Sequence, residues 1–247
     1  MFIKKAFCYP LTIIYYLAFG SIIVFFHLVQ VLSYKFFGYN SHKKSVDFLA
    51  FFLLRCLNIL GTSFEFSNLF KMPDNGPLII VSNHQSTYDI PPIVWYFRKY
   101  HPKFISKSSL GKGIPSISYN LRQGGSVLID RNNADLALKK IKAFGEQVQN
   151  NQWTAVIFPE GTRSKDGRPK KFYTRGLITL FEHIPDATVV ALSINNSWKL
   201  AKYRYFPMPL GVKVNLKVQA TFKLSEHEPN KLLKKLEEQV TLGVVCI

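Results

Sequence analysis

The chain opens on an apolar run that no charge interrupts. Residues 6–34 contain no Lys, Arg, Asp or Glu, a length of 29 residues, where a helix needs ~20 to cross a bilayer core. Lys4 and Lys5 precede the run and Lys35 follows it. A secretory signal would have a shorter apolar core and small residues at a cleavage site. Here Phe25, Phe26, Tyr34, Phe36 and Phe37 continue past that point, so the pattern predicts a retained anchor. A second apolar stretch, 46–64, is interrupted by Arg55 and Asn58. Gly38, Asn40 and the Lys43–Lys44 pair lie between the two and predict a helical hairpin. It either spans the bilayer or dips into one leaflet, and its basic flanks favour the cytoplasmic side.

From Leu69 the pattern changes. The turn-rich segment 71–77 marks a boundary, so two units are expected: a membrane-associated hairpin over 1–68 and a second domain over 69–247. In the second, short apolar runs alternate with helical periodicity. Strands are predicted over 78–82, 104–106, 126–130, 154–158 and 189–194, and helices over 90–100, 134–148, 176–183 and 229–240. Asp89 is placed to cap the first helix. Over 212–224, Val212, Val214, Leu216, Val218, Ala220 and Phe222 alternate strictly with other residues, predicting a strand with one buried and one wet face. The alternation of strands and helices predicts an α/β fold, a mixed sheet flanked by helices, with the apolar hairpin as membrane anchor.

Composition narrows the partners. Hydrophobic residues make up 47% of the 247 and aromatics 15%, which excludes a disordered chain. The net charge of +17 points to a negative partner: nucleic acid, anionic lipid or an acidic carrier. The aromatics concentrate in apolar segments rather than in a basic patch, and no nucleic-acid motif occurs, which argues against nucleic acid. Cys8, Cys56 and Cys246 are too few and too far apart for a disulfide framework or a Cys-based zinc site.

Three polar clusters follow predicted strands. The first runs from Ser82 to Asp89. His84 and Asp89 are five apart, so they meet only if the His sits on a strand-to-helix turn and the Asp at the helix start. The carboxylate would then fix one ring nitrogen and leave the other to take a proton from a substrate hydroxyl. The second runs from Gly124 to Arg131. It ends in a guanidinium that either reaches the same site or pairs with Asp130. The third is Phe158-Pro159-Glu160-Gly161-Thr162-Arg163-Ser164. Gly161 permits a tight turn whose N–H groups can face an anion, Arg163 suits phosphate, and Glu160 can hold a hydroxyl or brace Arg163.

These clusters, in this order, resemble the 1-acyl-glycerol-3-phosphate acyltransferases (lysophosphatidic acid acyltransferases). His84 and Asp89 match the family's His-x4-Asp motif, with Asn83 before the His. The segments 125–131 and 158–164 match its second and third blocks. The resemblance covers about 77–197. It implies catalysis by His84 and Asp89, acceptor-phosphate binding by Arg131, and acceptor binding by Glu160 and Gly161, with Thr162, Arg163 and Lys107 in the substrate site. The implied reaction moves an acyl chain from acyl-CoA or acyl carrier protein to an anionic lysophospholipid at a membrane, making phosphatidic acid, with no metal or other cofactor. Lysines and arginines such as Lys103, Lys165, Lys170 and Arg175 would supply a positive field. One departure stands out: Ala191 occupies a strand position where the family usually has proline. That opens the alternative of another lysolipid acceptor, such as a lyso amino-acid lipid. A basic membrane scaffold without catalysis is the reading from a different class.

Overall fold

The computed structural model describes residues 2–245, with side chains from Phe7 onward; Cys246 and the side chains of Lys4 and Lys5 lie outside the described residues. Helix α1 (Phe2–Leu57) is broken at Gly38, whose φ of 73° and ψ of −165° end one helical arm and start another. Glycine occupies that left-handed region without Cβ strain. The two arms fold back on each other. Ile23 and Phe26 of the first pack on Leu49 and Leu53 of the second, and the Cys56 thiol donates to the Tyr15 carbonyl.

After the hairpin the chain builds one seven-stranded sheet: β1 (Ser63–Ser67), β2 (Leu78–Ser82), β3 (Pro102–Lys107), β4 (Val127–Ile129), β5 (Thr154–Ile157), β6 (Thr188–Asn195) and β7 (Lys213–Lys223). The strand order is β1-β7-β6-β2-β5-β3-β4. All neighbours are parallel except β6 and β7, so the sheet is mixed. Strand β1 is absent from the sequence pattern. Its Phe64 and Phe66 run on directly from the apolar second arm, which hides a five-residue strand behind a helix. Its pairing with β7 brings residues before Leu69 into the α/β sheet.

The sheet is covered on both faces. Helices α4 (Ala134–Asn151), α5 (Arg175–His183) and α6 (Pro229–Leu242) bury Ile141, Phe144, Leu180 and Leu236 against Ile79, Val81, Ala155 and Val189. The opposite face, carrying Ile80, Val156, Val190 and Leu192, is covered by α2 (Ile90–Tyr96) and by the hairpin itself through Tyr15, Ala50, Cys56 and Leu57; α3 (Ile117–Gln123) packs on the hairpin through Ile117. Residues on alternate positions of a central strand thus enter different cores, as the pleat dictates. The hairpin is half of the sheet's packing as well as a candidate anchor. Its outward side stays apolar and open, with Leu17 68% and Phe37 74% exposed.

Two expectations need correction. The helix predicted over 90–100 stops at Tyr96; Phe97 turns into the core, and a 3-10 turn over Arg98–Tyr100 ends at His101 in a left-handed conformation. The single buried face predicted over 212–224 is also wrong. Ala191 faces Ala220 but Leu192 faces Val218, so Gln219 is an extra residue, a β-bulge. Val214, Leu216 and Val218 pack on the hairpin side, whereas Ala220 and Phe222 pack on the α4–α6 side. One added residue reverses the side-chain faces of everything after it.

Candidate active site

Five connections leave the sheet at the same edge, the C-terminal ends of β6, β2, β5, β3 and β4. In that spatial order they carry Ser197, His84, Glu160, Lys107 and Arg131. Ligands of open α/β sheets bind outside the carboxyl ends of the parallel strands, and the three sequence clusters all fall there. Asn83 splices the edge: where β2 and β6 diverge, its amide donates to the Ile194 carbonyl at 2.8 Å and accepts from the Ile194 N–H at 2.7 Å. The next residue, His84, is thereby aimed out of the sheet.

His84 and Asp89 meet, with Nδ1 2.8 Å from Asp89 Oδ2. Asp89 does not cap α2 with its side chain. The carboxylate turns back, and Oδ2 also accepts from the backbone N–H groups of Gln85 (2.7 Å) and Ser86 (2.9 Å). Ser86 caps the 3-10 turn Thr87–Asp89 that makes this reversal. Ser197, arriving from the end of β6, donates to Oδ1. Four donors thus hold a carboxylate with no solvent exposure. With Nδ1 committed to Asp89, the imidazole presents Nε2 as the acceptor. The ring lies on Phe158 with centroids 4.1 Å apart and planes 18° from parallel. The Ser164 N–H bonds the His84 carbonyl at 2.7 Å, so the third cluster fixes the ring's face and its backbone.

Glu160 is buried beside His84, and neither of its carboxylate oxygens has a hydrogen bond of good geometry among the described residues. Burial pushes its carboxyl up to about 7, only partly offset by the nearby backbone N–H groups of Lys170 and His84. It does not brace Arg163, which instead donates to the Tyr205 hydroxyl at 2.9 Å. Gly161 takes a φ of 69°, but its N–H is already used, closing the turn on the Phe158 carbonyl at 3.1 Å. Its carbonyl accepts from Arg131. Arg131 therefore reaches the third cluster rather than pairing with Asp130. It lies near enough to Arg163 that, after burial, the second guanidinium's charge further lowers its proton affinity. Lys170 donates to Thr162 Oγ1 and to the Arg163 carbonyl, both at 2.9 Å. Lys107 stands exposed at the end of β3, opposite Ile129 of β4. Sequence reasoning missed Gln85, Ser86, Ser197 and Tyr205. The first two were inside the quoted motif; the others carried no local signal.

A model of the family described as Acyltransferase matches residues 63–195, which is more than half of the chain and runs from β1 to the end of β6. The chain belongs to the acyltransferase family. Within it, the chain is 34% identical over 139 residues to a 1-acyl-sn-glycerol-3-phosphate acyltransferase of Helicobacter pylori, covering 53% of this chain and 56% of that one. A protein of the same description from Cocos nucifera is 31% identical over 141 residues, 56% of this chain and 45% of that one. The chain thus spans about half the length of the curated relatives it matches. The crystal structure of the 1-acyl-sn-glycerophosphate (LPA) acyltransferase PlsC from Thermotoga maritima superposes with a TM-score of 0.78 at 25% identity, covering 95% of this chain and 93% of that one. The likeness to this acyltransferase extends over the hairpin as well as the sheet.

Proposed function

We propose that the protein is a membrane-associated 1-acylglycerol-3-phosphate O-acyltransferase that uses His84 as general base. The observation that carries this reading is the His84–Asp89 hydrogen bond of 2.8 Å at a sheet edge that also gathers two guanidiniums and a buried acid. Nε2 takes the proton of the acceptor hydroxyl as its oxygen attacks the thioester carbonyl of acyl-CoA or acyl carrier protein. The C–O bond forms, the C–S bond breaks as the tetrahedral intermediate collapses, and the proton passes from the imidazolium to the departing thiolate. Asp89 orients the ring and stabilises the imidazolium. No metal or further cofactor enters these steps. A phosphate monoester lying between Arg131 and Arg163 would relieve their mutual repulsion, which supports a phosphate-bearing acceptor. The open apolar side of the hairpin supports a lipid surface on that side, and its basic flanks support a cytoplasmic active site.

The test is transfer by purified protein in detergent, with defined thioesters and a panel of lysolipids, the product identified by mass spectrometry. Phosphatidic acid should form from 1-acyl-glycerol-3-phosphate, and His84→Ala should lower kcat by on the order of 10³-fold or more while the variant keeps its fold. Near-normal turnover in that variant would end the mechanism. Better use of a phosphate-free acceptor would transfer the reading to another lysolipid.

A further inference from the structure

Arg163 is exposed, yet one contact holds its head. Nη1 donates to the Tyr205 hydroxyl at 2.9 Å across 42 residues of chain. Among the described residues Arg163 is in no ion pair. Tyr205 belongs to the segment between β6 and β7, beyond all three polar clusters and beyond the stretch that matches the family model. The chemistry of the holder matters. A carboxylate in that place would neutralise the guanidinium and compete with an incoming phosphate. A phenol hydroxyl occupies one of the five N–H donors and leaves the charge and the other donors for a ligand.

The segment is built to keep that hydroxyl in place. Arg204 and Tyr205 both take left-handed backbone, with φ of 53° and 67°. Residues with a Cβ enter that region at a cost and keep it only where neighbours hold them. The first arm of the hairpin does the holding. The Tyr16 hydroxyl donates to the Tyr205 carbonyl at 2.8 Å, and Thr12 Oγ1 accepts from the Met208 N–H at 2.9 Å. Tyr9 meets Phe206 edge-on, with ring centres 5.7 Å apart. On its other side the Tyr205 ring packs on Tyr88, centres 6.0 Å apart and planes at 63°, and Tyr88 directly precedes Asp89. Tyr205 is thus wedged between the hairpin, the turn that carries Asp89 and the third cluster. The left-handed pair lets its carbonyl face the hairpin while its side chain reaches Arg163.

An arginine with no holder samples many rotamers, and a ligand that must order it binds less tightly. Resting on the transferase reading above, we propose that Tyr205 is the positioning residue for Arg163, and that through it the segment after β6 sets the preference for a phosphate-bearing acceptor over a neutral one. Tyr205 acts only through Arg163 and touches no reacting atom. A neutral lysolipid makes no use of the guanidinium charge, so it gains nothing from the hold.

The experiment measures binding of 1-acyl-glycerol-3-phosphate to the full-length protein in detergent by calorimetry, alongside transfer kinetics, for the parent, Tyr205→Phe, Arg163→Ala and the double variant. Tyr205→Phe removes the hydroxyl and keeps the ring on Tyr88, so the fold is retained. Kd and KM for this acceptor should rise roughly five- to tenfold, the effect of one hydrogen bond, while kcat moves far less. Binding of a monoacylglycerol, which lacks the phosphate, should not weaken. In the Arg163→Ala background the tyrosine change should add nothing, because the group it acts through is gone. Tyr16→Phe, which loosens the segment from the hairpin, should shift KM in the same direction by a smaller factor. Unchanged Kd and KM in Tyr205→Phe would overturn the proposal. So would an equal loss on both acceptors, or a full additive loss in the double variant, either of which would make Tyr205 a structural wedge that acts without Arg163. If the parent binds the acceptor and transfers no acyl group, the transferase reading fails, while the calorimetric cycle still decides the role of Tyr205.

Discussion

Ser197 donates a hydrogen bond to Asp89 across 108 residues of chain, occupying the one carboxylate oxygen that the histidine and the two backbone amides leave open. The bond fastens the end of β6 to the turn after β2. In the reaction proposed above, Ser197 would be a positioning residue, since it touches Asp89 and not His84.

Removing that bond leaves Oδ1 buried without its donor. For Ser197→Ala, kcat should fall roughly tenfold, the worth of one hydrogen bond to a charged group, with KM for the acceptor little changed. Ser197→Thr, which keeps the hydroxyl, should recover most of the loss. Steady-state kinetics on the three proteins decide it, and an unchanged kcat in the alanine variant would reduce Ser197 to a structural tie.

Arg131 spans two strand connections to reach the Gly161 carbonyl, and its head lies close to Arg163. In Arg131→Ala, KM for a phosphate-bearing acceptor should rise by roughly 10–100-fold, corresponding to about 1.5–3 kcal/mol for a charge-assisted contact. A phosphate-free acceptor should be affected far less. Equal losses on both would mean that Arg131 only braces the Gly161 turn.

Glu160 supplies a pH signature. Its carboxyl is raised to about 7 by burial, so the neutral acid is the form that suits the folded protein. Below the unfolded-state value near 4.5 both states are protonated and nothing is lost. Between there and about 7 the unfolded chain releases the proton while the folded chain keeps it, and stability falls as pH rises. Relative to Glu160→Gln, the parent should therefore lose on the order of 3 kcal/mol between pH 4.5 and 7. Urea denaturation of both proteins across that window measures the difference; parallel curves would refute it.

Lys103 should act with the opposite sign in a higher window. It is almost fully buried, with its amine 4.8 Å from the Tyr39 ring centre and 4.7 Å from that of Trp153. Burial, then the charge of Lys43, lowers its value to about 7. Above that value the folded chain has released a proton that the unfolded chain still holds, so stability should rise with pH from about 7 towards 10. Thermal melts of the parent against Lys103→Met at pH 7 and 9.5 should show the gap moving in the parent's favour.

The residues explain what the sequence alone could and could not reveal. β2 was readable because its five positions are all buried, so an apolar run and a strand coincide. The dyad was readable because both partners and the turn joining them lie within eight residues. Ser197 and Tyr205 were not, since their partners are fixed by the order of strands in the sheet, which no local pattern encodes. β7 misled for a physical reason: its alternation is perfect in sequence, and the bulge at Gln219 turns that single pattern into two faces. Lys107, expected in the substrate site, ends β3 at the carboxyl edge of the sheet, and its exposed amine shows nothing of a role.

The hairpin shares its core with the sheet, and that bears on any attempt to make a soluble version of the protein. A chain cut ahead of Ser63 would lose the residues that shelter Ile80, Val156, Val190 and Leu192, so deleting the greasy segment would leave a sticky fragment instead of a detached enzyme. The same sharing fixes geometry. A domain on a flexible tether samples a range of heights above a surface; this one has its reactive edge set at a constant height and tilt relative to the outward side of the hairpin.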